Sequence, residues 1–275
     1  MTGLTVKAVL NTAHALGLER LDAQLLLLQC LGKVDTDRAW LLAHDGDVLT
    51  AAQIQTFASV CQRRVAGEPV AYIVGYKEFF GLKLDVDKRV LTPRPDTETL
   101  VQWALDVLKC TPGSDVLDLG TGSGAVAIAI ALHSVGNVTA TDISSEALQV
   151  ASANALRLAA DVQCLQSDWF ENIGGNYHLI ASNPPYISDA DPHLAALMHE
   201  PLSALTAGAD GLKDIRIIVQ QAPHFLHTDG WLILEHGYDQ ATGIRQLLIE
   251  RGFADVQSRK DLAGIERCTG GQWVK

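Results

Sequence analysis

The sequence has few cysteines and no closely spaced pair of them. Its 275 residues include five cysteines, none in a Cys-x-x-Cys pattern, and nine histidines without His-x-x-x-His spacing. These absences argue against a disulfide framework and against a zinc site. We therefore expect no bound metal. The thiols that we expect to be reduced and structural are Cys30, Cys61, Cys110, Cys164 and Cys268.

Long apolar segments are also missing. The densest apolar run, residues 25–28, lies in a segment that Asp22, Gln24 and Gln29 interrupt, so it is too short to span a bilayer. The N-terminus shows no basic region followed by an apolar stretch and a small-residue cleavage site. We therefore expect a cytoplasmic protein with no membrane partner.

Positive charge and aromatic side chains are scarce. The formal net charge is −11 at pH 7, and aromatic residues make up only 6% of the chain. Residues 1–75 hold 6 Lys and Arg against 7 Asp and Glu, whereas residues 76–275 hold 15 against 25. Phosphate backbones require clustered cations, and flipped bases require stacking surfaces. We expect no direct nucleic-acid partner, although a local basic groove is compatible with these totals.

Hydrophobic residues make up 48% of the sequence, which is enough for a substantial core. Its first part has helical patterns and no strand pattern. Thr50 and Gln53 fit a capping box, and Gly67 with Pro69 marks the end of that helix. The expected helices span about residues 4–16, 20–32, 36–44 and 51–66.

A hairpin and then an alternating pattern follow. Two short strand-like segments flank Gly81-Leu82, which we expect to form the turn. Strands are predicted near residues 115, 138, 162, 178, 231 and 253, and they alternate with helices apart from a long loop between Pro184 and Ser203. This pattern predicts a doubly wound α/β sheet. The expected domains are an all-α domain over residues 1–75, a linking β-hairpin over residues 76–94 and the α/β domain over residues 95–275.

A glycine-rich loop lies between a predicted strand that ends near Asp118 and a helical stretch over residues 125–132. The loop reads Gly120-Thr121-Gly122-Ser123-Gly124. Alternate glycines let the backbone approach a ligand closely, and the loop also fits the Gly-x-Gly-x-x-Ala dinucleotide pattern. Asp142, after the next strand, could bind ribose hydroxyls or could cap the helix that begins near Ser145. A cofactor that contains a nucleoside is expected.

The second motif, Asn183-Pro184-Pro185-Tyr186, follows a buried apolar strand. Consecutive prolines cannot continue a sheet, so their carbonyl groups are free of ladder hydrogen bonds. With the Asn183 carbonyl, these acceptors could hold the two hydrogens of a planar NH2 group, while Tyr186 offers a π face. The alternative is a Pro-Pro turn beside a buried tyrosine.

Together, the glycine loop and the Asn-Pro-Pro-Tyr motif resemble those of S-adenosylmethionine-dependent methyltransferases. Over nearly its whole length the chain resembles the HemK/PrmC family, which methylates the glutamine amide nitrogen in the Gly-Gly-Gln loop of peptide-chain release factors. The fold implied is a Rossmann-like methyltransferase domain with a closing antiparallel strand near residues 268–274. The other segments that carry the resemblance are residues 92–98, 167–170, 200–205, 234–237 and 261–264.

The resemblance implies S-adenosyl-L-methionine as cofactor and S-adenosyl-L-homocysteine as product. It places the loop from Gly120 to Gly124 around the methionine portion, Asp142 on the ribose, and Asp168 with Trp169 beside the adenine. Asn183 would bind the cofactor as well, at the point where cofactor and substrate meet. Asp118 would bind the methionine amino group or organise the loop.

For the transfer step, the resemblance implies that the amide nitrogen attacks from the side opposite the departing thioether. Asn183 and Pro184 would accept its N–H bonds, with Pro185 beside them and Tyr186 against the amide plane. Glu200 would orient the loop or the substrate, or would simply be an exposed glutamate.

Three alternatives stay open: a glutamine methyltransferase acting on a ribosomal protein, an adenine-amine methyltransferase acting on DNA or RNA, and a non-catalytic cofactor-binding regulator. The second shares the Asn/Asp-Pro-Pro-Tyr motif. The tail also contains Gly270-Gly271-Gln272, the tripeptide of the implied substrate. If strand 268–274 lies within the sheet, Gln272 cannot reach the site without local unfolding, and we interpret the match as coincidence.

Overall fold

The N-terminal part of the protein is helical in the computed structural model, which describes residues 3–34, 37–109 and 113–275. Its helices are α1 (Val6–Ala15), α2 (Arg20–Cys30), α3 (Arg38–Ala43), α4 (Ala51–Val65) and α5 (Val70–Val74). Leucines of α2 supply much of this unit's own core, in which Leu26, Leu27 and Leu28 are fully buried. Within the described residues, residues 3–76 and 195–199 cluster as one compact unit and the rest of the chain as another.

The capping box at the start of α4 is confirmed. The Gln53 backbone N–H donates to Thr50 Oγ1 at 3.2 Å, and the Thr50 N–H donates to Gln53 Oε1 at 2.9 Å. Gly67 follows the helix with a left-handed φ of +96°. The short helix α5 was not among the expected helices, but it lies inside the all-α domain expected over residues 1–75, and its Val70 and Val74 pack on the helical core. Tertiary packing outweighs the low helix propensity of these β-branched residues.

The predicted hairpin is present as β1 (Tyr76–Phe79) and β2 (Leu82–Asp85). Its turn residues are Phe80 and Gly81, with φ of +51° and +74°, so the expected turn at Gly81-Leu82 is wrong by one residue. A two-residue turn with both φ values positive matches the twist of paired strands. The Phe80 ring packs edge-on against His133 at 5.2 Å between centroids, which offsets strain in its backbone.

The second unit is built on a seven-stranded sheet of described residues, with strand order β5-β4-β3-β6-β7-β9-β8. Strands β3 to β7 are parallel, whereas β9 runs antiparallel to both β7 and β8. The strands are β3 (Ser114–Leu119), β4 (Gly136–Asp142), β5 (Val162–Gln166), β6 (Tyr177–Ser182), β7 (Leu226–Glu235), β8 (Ala254–Lys260) and β9 (Glu266–Trp273).

Helices cover both faces of this sheet, which confirms the doubly wound α/β prediction. The helices are α6 (Glu98–Leu108), α7 (Ala125–His133), α8 (Ser145–Leu158), α9 (Lys213–Gln221) and α10 (Ala241–Arg251). Successive strand residues alternate between two cores: Val116 packs with α6, α7 and α8, whereas Leu117 packs with α9 and α10. Parallel strands buried on both faces explain the apolar runs of the sequence.

The expected alternation of strands and helices fails at one further place, between β5 and β6. Residues 167–176 form turns there, and no helix occurs in that described segment. The connection is short, includes Gly174-Gly175 near its end, and contains Trp169 with a left-handed φ of +45°. A residue in that conformation cannot continue a right-handed helix.

The C-terminal tripeptide lies inside the sheet. Gln272 of β9 is paired with Trp231 of β7 and Ala254 of β8, and Gly270 is buried. A Cβ atom at Gly270 would lie only 2.6 Å from the Leu232 carbonyl oxygen, so glycine is required by close strand packing. Gln272 therefore lies within the sheet, paired on both sides, and it cannot reach the site without local unfolding.

The described cysteines and helices bear on the expectations for the thiols and for the membrane. Cys30, Cys61, Cys164 and Cys268 are free thiols, and Cys110 lies outside the described residues. In the part of the chain that the structure describes, no helix combines the length and the apolar character needed to cross a membrane.

Candidate active site

The glycine loop turns sharply between β3 and α7. Gly120 and Gly122 have φ of +70° and +54°, in the left-handed region that side chains disfavour. The Thr121 N–H donates to the Thr141 carbonyl at 2.8 Å, which holds the loop against the end of β4. An added Cβ at Gly122 would meet no described atom within 4 Å, so the backbone there faces open space.

Asp118 lies beneath this loop and is 1% exposed. Its Oδ2 accepts from the Thr121 hydroxyl at 2.6 Å and from the Ala127 N–H at 3.2 Å. Burial raises its pKa to about 7, although both hydrogen bonds favour the charged form. These contacts fit the role of organising the loop, the second of the two alternatives for Asp118.

Asp142 joins the glycine loop to the turn after β4. Its Oδ2 accepts from the Gly122 N–H at 2.9 Å, and its Oδ1 accepts from the Ser144 N–H at 2.9 Å. Ser144, not Asp142, caps α8, because its hydroxyl accepts from the Ala147 N–H. Each carboxylate oxygen retains a second acceptor position, so Asp142 could still accept hydroxyl groups. Burial raises its pKa.

Asn154 fixes the far side of the loop and was not predicted. It is fully buried, and its Nδ2 donates to the Ser123 carbonyl at 3.0 Å and to the Asp85 carbonyl at 2.9 Å. Its Oδ1 accepts from the Asp85 N–H at 2.8 Å. The amide therefore ties the glycine loop to the hairpin through contacts that no local sequence pattern reveals.

A cavity of about 500 Å³ opens where β3, β4, β5 and β6 end. Ligands of open α/β sheets bind at this carboxyl edge, and the volume lies in the range of ligand pockets. Ten of the predicted site residues line it: Asp118, Gly120, Thr121, Gly122, Ser123, Asp142, Asp168, Trp169, Asn183 and Pro185. Gly124 faces away from the cavity, toward Ile128 and Ala151.

Trp169 is positioned by an unusual backbone. Its φ of +45° turns the partly buried indole toward the loop, where a Cβ at Gly120 would lie 3.7 Å from the ring. A strained non-glycine residue at a cavity wall is typical of functional sites. Asp168, beside it, is exposed at the cavity rim.

Asn183 lies at the opposite wall, directly after β6. Its Nδ2 donates to the Thr97 hydroxyl at 3.2 Å. Ser182 pairs with Leu234 in the neighbouring parallel strand, so the next residues, Asn183 and Glu235, are side by side. Thr97 and Asn183 both line the cavity, whereas Glu235 lies behind them and is 1% exposed.

Glu235 is a buried acid with an unusual environment. Burial raises its pKa to about 7, while hydrogen bonds from Thr97 and Asn183 favour the charged form. Its Oε2 has no hydrogen-bond partner among the described residues. Sequence reasoning did not predict Thr97 or Glu235 as site residues. The available signal was the position of Glu235 at the end of an apolar strand, like Asp118 and Asp142.

Two predicted residues, Pro184 and Tyr186, do not line this cavity. Pro184 is buried, and within the described chain no hydrogen bond engages its carbonyl. The Tyr186 side chain is partly buried, and burial raises its pKa. Its backbone carbonyl accepts from Gln240 Nε2 at 3.0 Å, which fixes the chain after the two prolines.

Glu200 is buried, 7% exposed, so the exposed alternative is wrong. Arg94 Nη2 lies 2.7 Å from each of its carboxylate oxygens. Burial raises the pKa of Glu200 against the opposing effect of Arg94. The pair connects the segment before α6 with the loop that follows Tyr186.

Asp115, His178 and His227 form a separate cluster near the amino ends of three adjacent strands, with one potential ligand atom from each within 4.8 Å. His178 Nδ1 accepts from the Asp115 N–H at 3.1 Å. The neutral ring then carries its proton on Nε2, so it offers no free lone pair to a metal ion. We assign no metal to this cluster.

Two family models match the chain: the PrmC N-terminal domain over residues 6–75 and the methyltransferase small domain over residues 97–210. A release factor glutamine methyltransferase of Bordetella pertussis is 48% identical over 260 residues, covering 93% of this chain and 95% of that protein. One from Coxiella burnetii is 45% identical over 251 residues, covering 90% of each.

A solved structure of a methyltransferase from Pyrococcus furiosus shares the fold, with a TM-score of 0.57 and 18% identity over 78% of this chain and 100% of that one. The sheet, the cavity at its carboxyl edge and these matches define a Rossmann-like methyltransferase. Within that class, the chain belongs to the release factor glutamine methyltransferase family.

Proposed function

We propose that this protein transfers a methyl group from S-adenosyl-L-methionine to the side-chain amide nitrogen of the glutamine in the Gly-Gly-Gln motif of peptide-chain release factors. The single observation that carries the proposal is the placement of Asn183. Its amide lies in the wall of the cavity with its NH2 group directed to Thr97, so its carbonyl oxygen is available to an incoming N–H donor.

The cavity fits the proposed cofactor. Open space at Gly122 admits a ligand close to the backbone, and Asp142 retains acceptor positions for ribose hydroxyls. The Trp169 indole supplies an apolar face for a base, with Asp168 at the rim. When bound, S-adenosyl-L-methionine supplies an electrophilic methyl group on a sulfonium centre. Asp118 acts indirectly, by fixing Thr121 and the start of α7.

The substrate side of the mechanism rests on the Asn-Pro-Pro-Tyr motif. A glutamine amide nitrogen is a weak nucleophile because its lone pair is delocalised into the carbonyl group. In this proposal its two N–H bonds are accepted by Asn183 Oδ1 and by the carbonyl of Pro184, which no described group engages and which lies between the cavity residues Asn183 and Pro185. Acceptance raises electron density on nitrogen and holds it in line. Orientation of this kind contributes roughly 7 kcal/mol or more in the best intramolecular cases. Pro185 and Tyr186 complete the substrate surface in this proposal.

The remaining parts of the chain have roles that follow from the same proposal. Residues 1–75 select the protein partner, residues 76–94 form the linking hairpin, and residues 95–275 carry out the methyl transfer. The Arg94–Glu200 pair holds the loop that leaves the motif. No group in this scheme must remove a proton before attack, since the amide nitrogen becomes acidic as it gains positive charge.

The proposal is tested by incubating the purified protein with S-adenosylmethionine labelled in its methyl group. The acceptors are a release factor, the same factor with its Gly-Gly-Gln glutamine changed to alanine, a ribosomal protein, and DNA. Label on the unchanged release factor alone is expected. Label on the ribosomal protein or on DNA would overturn the substrate assignment, and no label on any acceptor would overturn the enzymatic role.

A further inference from the structure

Glu235 is a buried titratable group next to Asn183 that the mechanism above leaves unused. It ends β7, whose residue Leu234 pairs with Ser182 at the end of β6. Parallel pairing therefore brings Glu235, which is 1% exposed, beside Asn183. A buried carboxyl with one unpartnered oxygen calls for an explanation, because desolvating an acid is costly.

The hydrogen bonds around Asn183 can be assigned from the donors available. Asn183 Nδ2 donates to Thr97 Oγ1 at 3.2 Å, so the Thr97 hydroxyl must direct its own hydrogen elsewhere. Hydrogen bonding from Thr97 and from Asn183 also lowers the pKa of Glu235, so both side chains direct a donor toward its carboxyl group. We assign one amide hydrogen of Asn183 to Thr97 and the other to Glu235, which leaves Oδ1 for a donor in the cavity.

An ionised carboxylate enforces this arrangement because it can only accept hydrogen bonds. If Glu235 carried a proton, it could donate to Asn183 Oδ1, and the amide could rotate by half a turn. The rotated amide would present NH2 to the substrate NH2, which places donor against donor. The arrangement thus depends on an acceptor behind Asn183.

We infer that Glu235, acting through Thr97 and Asn183, is a positioning residue that holds the Asn183 carbonyl oxygen toward the cavity. This inference rests on the proposed function. It predicts that methyl transfer rises with pH as Glu235 ionises near pH 7, its pKa being about 7.

The charged and titratable groups that face Glu235 come from several elements. Asp96 precedes α6, Arg267 and Cys268 lie on β9, and Tyr186 follows β6. The pKa of Asp118 is also about 7, so the effect of its ionisation on the rate must be distinguished from that of Glu235. Replacing Glu235 alone achieves that separation, because Asp118 stays unchanged.

The first test uses the full-length protein and a release factor. Glu235→Gln keeps the size but replaces one acceptor oxygen with a donor. We expect kcat to fall about 10- to 100-fold at pH 8, and the rise in rate near pH 7 to flatten. The Kd for S-adenosylmethionine, measured by calorimetry, should change by less than about twofold, since Glu235 does not line the cavity.

Thr97 offers a matched pair of variants. Its side chain makes no capping hydrogen bond to α6, so Thr97→Val removes the hydroxyl without uncapping the helix. We expect Thr97→Val to lower kcat about 10-fold and Thr97→Ser to restore most of it. An effect of Thr97→Val that adds fully to that of Glu235→Gln would overturn the inference, because the two residues act through one amide.

A second measurement does not depend on turnover. In nitrogen-15 NMR spectra of the free protein, the Asn183 side-chain NH2 signals, assigned with Asn183→Ala, should shift as pH passes about 7 and should lose that shift in Glu235→Gln. Asn183 side-chain signals that change neither with pH nor with the Glu235→Gln substitution would overturn the positioning role of Glu235. A wild-type protein that transfers no methyl group while showing the NMR response defeats the proposed function but not the orientation of Asn183.

Discussion

Asn183 and Thr97 meet through a 3.2 Å hydrogen bond although 86 positions separate them in the sequence. Asn183 follows β6, and Thr97 stands at the start of α6, so the bond joins two motifs that the sequence shows separately. It gives the Asn183 amide a defined orientation at the wall of the cavity. The chemistry proposed for the site depends on that orientation.

The first prediction concerns Asn183 itself. Asn183→Ala removes the acceptor for the substrate amide but leaves the glycine loop and Asp142 in place. We expect transfer to fall by at least about 100-fold while S-adenosylmethionine binding, measured by calorimetry, stays within a few-fold. Wild-type transfer by this variant would contradict the mechanism.

The second prediction concerns packing beneath the glycine loop. Gly124 has a φ of +84°, and an added Cβ would lie 2.8 Å from Ile128 Cδ1 and 3.2 Å from Ala151. Gly124→Ala should therefore lower the free energy of unfolding by about 2–4 kcal/mol, through backbone strain and overpacking.

The matched control is Gly174→Ala, because an added Cβ there meets no described atom within 4 Å and its φ is not in the left-handed region. Its effect in urea unfolding should stay within about 1 kcal/mol. Equal losses in the two variants would mean that the contacts of Gly124 do not determine its effect.

The third prediction concerns the pH dependence of stability. Burial raises the pKa of Glu235 to about 7, so the folded protein holds this proton more tightly than the unfolded chain does. The resulting stabilisation is fully present below the ordinary glutamate pKa and is lost as pH rises through about 7. Its size is at most about 3 kcal/mol.

Glu235→Gln isolates this contribution, because a glutamine does not titrate. The free energy of unfolding of the wild type, minus that of the variant, should fall between pH 4 and pH 8. Urea unfolding at several pH values measures this difference. The contribution of Asp118 cancels in the difference, because both proteins contain that residue. A difference that stays constant or rises with pH would contradict a raised pKa at Glu235.

The fourth prediction concerns the Arg94–Glu200 pair. Arg94→Ala leaves a buried carboxylate without its cation, so the folded protein should lose about 1 kcal/mol of stability at pH 8. The cost is modest because the Arg94 side chain is 37% exposed. It should shrink toward pH 5, where Glu200 takes up a proton more readily. Adding Glu200→Gln should restore most of the loss, and a double variant no better than Arg94→Ala would contradict the pairing.

Local patterns were sufficient for much of the fold. Apolar runs located the strands, and Thr50 with Gln53 located the start of α4. The hairpin turn was misplaced by one residue because Phe80 adopts a positive φ that packing against His133 supports. Such packing is tertiary, so the local sequence does not record it.

The site was predictable to the extent that its residues belong to contiguous motifs. The glycine loop, Asp142 and Asn183 could be found because each follows a predicted strand. Glu235 shares that position, but its significance lies in its partners, Thr97 and Asn183, which strand pairing and the placement of α6 bring together. Those pairings are long-range and leave no spacing signal.

The most direct test of the account is mass spectrometry of a release factor incubated with S-adenosylmethionine and either the wild-type protein or Asn183→Ala. We expect one added methyl group on the Gly-Gly-Gln glutamine with the wild type and none with the variant. An unmodified glutamine with the wild type, or equal modification by both proteins, would contradict it.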